Sequence, residues 1–170
     1  MGKEKSNIVL IGMPGSGKST VGVLLAKRLG YSFVDVDLVI QEKEGKLLKE
    51  IIEEQGEDGF LEVEERVNAE LEVTRTVIAP GGSVIYGRKA MEHLKSIGTV
   101  VYLKINCEEL TRRLGNLKDR GVVLREGMTL KDLLEERIPY YERYADVTLD
   151  ETGMESGDVV DKLRAYFEGR

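Results

Sequence analysis

Cysteine and histidine occur once each, as Cys107 and His93, in a chain of 170 residues. A single cysteine cannot close an intramolecular disulfide, so a reducing compartment suits the chain. One cysteine and one histidine are also too few for a structural zinc site of the usual kind. No stretch approaches the roughly 20 apolar residues of a membrane span. The opening MGKEKSNIVLIG lacks the long apolar run of a signal peptide. A cytoplasmic protein with no membrane partner is therefore expected. A surplus of positive charge is missing as well, with 25 Lys and Arg against 31 Asp and Glu. The net charge is −6, whereas a general nucleic-acid binder would carry a basic face. Internal repeats, low-complexity tracts and linkers are all missing. What is present, 41% hydrophobic and 33% charged residues, describes a globular chain with one domain's worth of core, 1–170.

Short apolar runs alternate with longer amphipathic ones. NIVLIG (7–12), SFVDV (32–36), TVIAP (76–80), TVVYLKI (99–105) and DVTLD (146–150) are dense in valine and isoleucine and lack polar alternation, the pattern of strands covered on both faces. Between them, KSTVGVLLAKRLG stops at Gly30, a natural left-handed helix end. KLLKEIIEEQ places Leu47, Leu48, Ile51 and Ile52 on one stripe, and FLEVEERVNAEL and RKAMEHLKSIG follow. TLKDLLEERIPYYERYA opens with Thr129 and Asp132 at capping-box spacing, Pro139 is expected to kink that helix, and SGDVVDKLRAYFEG closes the chain. Strands alternating with helices imply a five-stranded parallel sheet joined by right-handed crossovers, an α/β fold of three layers, αβα.

GMPGSGKS fits G-x-x-x-x-G-K-[ST] through Gly12, Gly17, Lys18 and Ser19, with an apolar strand before it and an amphipathic helix after it. Such a P-loop turns its backbone N–H groups into an anion nest at a helix N-terminus. Gly12, Met13, Pro14, Gly15, Ser16, Gly17, Lys18, Ser19 and Thr20 are the expected ATP-binding run. Lys18 would reach the β- and γ-phosphates, and the Ser19 hydroxyl would ligate Mg²⁺. A GTPase would need N-K-x-D late in the chain. NLKD (116–119) has its lysine one place too late, and DETG (150–153) lies downstream of it rather than upstream. A small-metabolite or nucleotide kinase is what remains.

Asp35 and Asp37 end the second apolar run one residue apart. On a strand they would share a face, and like charges side by side imply a use. One can hold Mg²⁺ and the other can accept a proton from an acceptor hydroxyl. Alternatively, one simply caps a helix that starts near Asp37.

Taken together, GMPGSGKST, FVDVDLVI, GEDGFLEVE, VIAPGGSV, VVYL, RRL and ERIPYYERYAD resemble the shikimate kinase family in order and close to its spacing, over nearly the whole chain. The resemblance implies a P-loop NTPase fold with a helical substrate-binding subdomain (about 37–72) and a lid (about 115–128). It also implies transfer of the ATP γ-phosphoryl group to shikimate, giving shikimate 3-phosphate for aromatic amino acid biosynthesis. It assigns Asp37 to the acceptor hydroxyls and Asp35 to the metal. Gly81, Gly82 and Ser83 fall on the glycine triplet beside the substrate, and Arg137 on its carboxylate. Arg113 is placed on adenine, and Arg120 on phosphate and substrate from the lid. With Mg²⁺ as cofactor, ATP and a small acceptor as partners and no nucleic acid, a monomer is expected.

Three positions depart from the family. Leu61 follows Phe60 where the family has an arginine on the substrate carboxylate. Arg66 cannot replace it, being about 140° further around a helix. Ser83 stands for the third glycine, and the lid reads DRGVVL, with Gly121 for proline. Residues 41–72 carry twelve Asp/Glu against four Lys/Arg, while 112–125 hold five Lys/Arg and one Asp. The first set reads as solvated helix faces, and the second suits a lid over phosphates. A kinase for another polyol acid, a hydroxy amino acid or a neutral polyol is the alternative reading, and a nucleotide-sensing module without catalysis a further one.

Overall fold

The computed structural model describes residues 5–114 and 127–169. Five strands, β1 (Asn7–Ile11), β2 (Ser32–Asp35), β3 (Thr76–Ala79), β4 (Gly98–Lys104) and β5 (Val147–Asp150), form one parallel sheet. Its order is β2-β3-β1-β4-β5. The helices are α1 (Lys18–Leu29), α2 (Val36–Glu44), α3 (Leu48–Ala69), α4 (Arg88–Ile97), α5 (Cys107–Leu114), α6 (Leu130–Tyr144) and α7 (Ser156–Glu168), with a 3₁₀ turn at Val84–Tyr86. β1 is central and buried at every position. Two apolar clusters cover the sheet. Val9, Ile11, Ile78, Val100 and Tyr102 face α3, α4 and α6; Ile8, Leu10, Val77, Val101 and Leu103 face α1 and α7. This is the αβα sandwich expected from the alternating pattern. Buried Asn7 ties the strand starts together: its amide donates to the carbonyls of Val73 and Ile97 and its oxygen accepts the Thr76 N–H. A buried amide costs free energy unless it is so satisfied.

Local signals explain most element ends. Gly30 closes α1 in the left-handed conformation. Thr129 and Asp132 exchange both capping-box hydrogen bonds at the start of α6. Pro139 lies inside α6, which is one continuous element from Leu130 to Tyr144. The segments 46–55 and 60–71, read separately, join as α3 across a bend at Gly56, whose φ of 75° and ψ of 178° only glycine holds without strain.

The main correction concerns β2. The strand stops at Asp35, and Asp37 lies in the first turn of α2 rather than on the strand. Asp35 Oδ1 accepts the Asp37 N–H at 3.0 Å and thereby caps the helix, while Val36 turns into the core. The carboxylate satisfies an otherwise orphan helix-start donor, so the backbone leaves the sheet one residue before the apolar run ends.

Candidate active site

The sheet sets out the site because the carboxyl ends of parallel strands converge on one edge. From β1 the chain turns into the P-loop. Lys18 Nζ donates to the carbonyls of Gly12 and Met13 at 2.7 and 2.9 Å, so the ammonium is held over the loop. Desolvation, reinforced by the nearby Arg137 cation, lowers its pKa to about 8. The hydroxyl of Ser16 is buried without a hydrogen-bond partner among the described residues, while Ser19 and Thr20 open α1 exposed to solvent.

A cleft of about 720 Å³ adjoins the loop. It brings Pro14, Gly15, Gly17, Lys18, Ser19 and Thr20 together with Asp35 and Asp37, Gly81, Gly82 and Ser83 from beyond β3, and Arg137 from α6. The expected metal and acceptor residues and most of the phosphate loop thus border one space, while Gly12, Met13 and Ser16 do not line it. Asp37 is pushed up to about 6, first by burial and then by Asp35, with Lys18 opposing.

Glu64, which sequence reasoning missed, belongs to this cluster. It lies on α3, 2% exposed, and its Oε1 has no hydrogen-bond partner among the described residues. Burial and the Asp37 charge raise its pKa to about 8, against Arg137 and Lys18. The available signal was a carboxylate on the buried stripe Phe60, Val63, Glu64, Val67. Gly81 separates the two acids with φ +107°; a Cβ there would sit 2.8 Å from Glu64 Oε2 and 3.4 Å from Asp37 Oδ1. Any side chain would therefore close the space between them.

Arg137, 3% exposed, donates to the Gly82 carbonyl and, at 3.1 Å, to Ser83 Oγ. Its guanidinium lies 5.3 Å from the Tyr86 ring centroid, and its Nε has no hydrogen-bond partner among the described residues. The serine in the glycine run thus accepts from an arginine that faces the cleft. Leu61 lines a second cavity of about 170 Å³ that shares Phe60, Ser83 and Arg137 with the cleft. Arg66 points away, paired with Glu44 on the surface.

Arg113 lies on the other side of the P-loop. It pairs with Glu109 and with Glu151, both at 3.2 Å, and donates to the carbonyls of Ser16 and Met154. It borders an open groove with Gly153 and Met154. Glu151 is 1% exposed, and burial raises its pKa to about 7, partly offset by Arg113. Arg120 and lid residues 115–126 lie outside the described residues. Of the twelve acidic residues in 41–72, nine are exposed and Glu64 alone is buried, so the charge excess is mostly a solvated face.

The comparisons with known proteins agree on one family. The shikimate kinase family model matches residues 14–168. A shikimate kinase of Chlorobium chlorochromatii is 40% identical, over 99% of this chain and 94% of its own length. That of Moorella thermoacetica is 39% identical over 95% and 96%. Among solved structures, shikimate kinase from Acinetobacter baumannii in complex with shikimate has a TM-score of 0.88 at 35% identity, covering 96% of this chain and 93% of its own. The Aquifex aeolicus enzyme has a TM-score of 0.81 at 35% identity, with 96% of each chain covered. The match extends over nearly the whole chain in both sequence and structure, and the chain belongs to the shikimate kinase family.

Proposed function

We propose that the chain transfers the γ-phosphoryl group of ATP to a hydroxyl of shikimate, giving ADP and shikimate 3-phosphate. The carrying observation is that one cleft joins Lys18 and Ser19 of the P-loop to Asp37, Gly81 and Arg137. The acceptor oxygen attacks the γ-phosphorus as the bond to the β–γ bridging oxygen breaks, and the hydroxyl proton passes to the Asp37 carboxylate. Asp37 accepts that hydroxyl's hydrogen bond and orients it; with a pKa near 6 it is mostly ionised at neutral pH and fit to do so. Lys18 turns from the loop carbonyls to the β- and γ-phosphates and neutralises developing charge. The backbone at Gly81 and Gly82 lets the acceptor ring approach, and Arg137 holds its carboxylate. Glu64 retains its proton at neutral pH and so adds no negative charge against an anionic acceptor. Arg113 offers a flat cation to the nucleobase, and Arg120 serves phosphate and substrate from the lid.

The hard oxygen donors Ser19 and Asp35 border the same cleft; Asp35 gives one oxygen to the Asp37 N–H and keeps the other. These donors fit Mg²⁺, which supplies charge neutralisation on the phosphates when bound. In this reading the chain works as one kinase domain, with α2 and α3 as the acceptor-binding part, as a monomer in the cytoplasm.

The test is a coupled ADP-release assay with ATP, Mg²⁺ and shikimate. Turnover dependent on all three is expected. Asp37→Asn is expected to reduce kcat by about 10²–10⁴ with ATP affinity nearly unchanged. An Asp37→Asn variant whose main loss is in ATP affinity, with kcat at saturating ATP near that of wild type, would exchange the roles of Asp35 and Asp37.

A further inference from the structure

Among the described residues three basic side chains line the cleft, Lys18, Lys49 and Arg137. Lys18 belongs to the phosphate loop. Arg137 donates one hydrogen bond from each terminal nitrogen, to Gly82 and to Ser83, and has its remaining N–H groups for a ligand. Position 61, where the resemblance to the family implies a second guanidinium, holds a leucine that lines the neighbouring cavity instead of the cleft. Lys49 is on the first arm of α3, where Ile51 turns into the core and Leu48, Lys49, Ile52 and Glu53 turn to the cleft. Leu48 and Ile52 give an apolar wall for a ring, with Lys49 exposed at its edge. It makes no hydrogen bond or ion pair among the described residues, whereas neighbouring Lys46 is paired with Glu54 and Arg66 with Glu44.

We propose that Lys49 supplies the cation that position 61 lacks, holding the carboxylate of the acceptor together with Arg137. The inference rests on the reading of the chain as a kinase of a hydroxylated carboxylic acid and assigns a specificity residue within it. An ammonium on a flexible stem suits the task, because it reaches a ligand from the rim without a fixed fork geometry. Glu53, one turn on, lines the same wall and is not paired with Lys49; it weakens the local positive field. The contact is therefore of the exposed, salt-screened kind.

The experiment compares wild type with Lys49→Gln on shikimate and on shikimate methyl ester, an acceptor without the anion. Lys49→Gln is expected to raise the KM for shikimate about three- to fivefold at low ionic strength, with kcat and the KM for ATP unchanged. That difference should shrink as salt is added, and the ester should show none. Adding Leu61→Arg to Lys49→Gln should restore the KM for shikimate. An unchanged KM for shikimate, or an equal loss on the ester, overturns the assignment of Lys49. A wild-type protein that turns over neither acceptor overturns the functional reading itself, an outcome separate from any effect of the variant.

Discussion

Replacing Glu64 with glutamine tests whether the acidic cluster is built around a protonated carboxyl. The side chain is 2% exposed and lies across Gly81 from Asp37, and its pKa rises from 4.5 to about 8. Each tenfold change in proton affinity is worth about 1.4 kcal/mol, so ionising Glu64 is on the order of 5 kcal/mol harder in the folded chain than in the unfolded one. The folded chain keeps a proton that the unfolded chain releases above pH 4.5. The stabilisation is complete below that pH and is lost as pH rises toward 8, at about 1.4 kcal/mol per pH unit. From pH 5.5 to 7.5 wild type should lose about 3 kcal/mol through this group. Asp37, raised to about 6, adds loss of the same sign in the lower part of that window. Lys18, lowered to about 8, works oppositely, gaining stability as pH rises from there toward 10.5. Glu64→Gln keeps the shape and the neutral charge but cannot ionise, so comparing the two proteins isolates the one carboxyl. Urea unfolding at each pH, with the midpoint and slope fitted separately, should show the variant gaining on wild type by about 3 kcal/mol between pH 5.5 and 7.5. Parallel stability curves across that window would refute the reasoning, because they would require Glu64 to be ionised in the folded protein at no extra cost.

Two further outcomes are expected. Lys18→Ala should fold normally yet lose about 10²–10³ in turnover, and retention of more than roughly a tenth of wild-type activity would contradict phosphoryl transfer at this loop. Leu61→Arg should lower the KM for shikimate about tenfold with kcat little changed, the lower end for a charge-assisted hydrogen bond, because Glu57 and Glu136 border the same cavity and compete for the new cation; no gain in a folded variant would show that position 61 has lost its line to the carboxylate.

Much of the architecture was legible from contiguous residues. The five apolar runs became the five strands, with ends moved by about one residue, since burial on both faces imposes the same valine- and isoleucine-rich pattern wherever the run lies. The phosphate loop and the Thr129–Asp132 box were legible for a similar reason: each is encoded within a few contiguous residues, the loop aiming helix-start N–H groups at an anion and the box satisfying them with side chains three residues apart. The helix α5 at Cys107–Leu114 was passed over, being two turns long and too brief for a periodicity. At Asp35 the apolar pattern and the capping chemistry gave opposite instructions, and the hydrogen bond to Asp37 prevailed.

Chain order carried no information on the β2-β3-β1-β4-β5 arrangement or on which charges would meet. Glu64 looked like one more glutamate of an acidic helix, and Lys49 like one more solvated lysine. Their different surroundings arise because α3 bends at Gly56, laying one arm beside the cleft and the other over Gly81. Arg137 meets the Gly82 carbonyl across 55 positions, an encounter set by packing α6 on the sheet. Secondary structure follows from hydrogen bonds and apolar spacing within a few residues. The ionisation of a carboxyl follows from how much water and which charges surround it, and those neighbours here come from α2, α6, the P-loop and the turn after β3, brought together when the sheet closes.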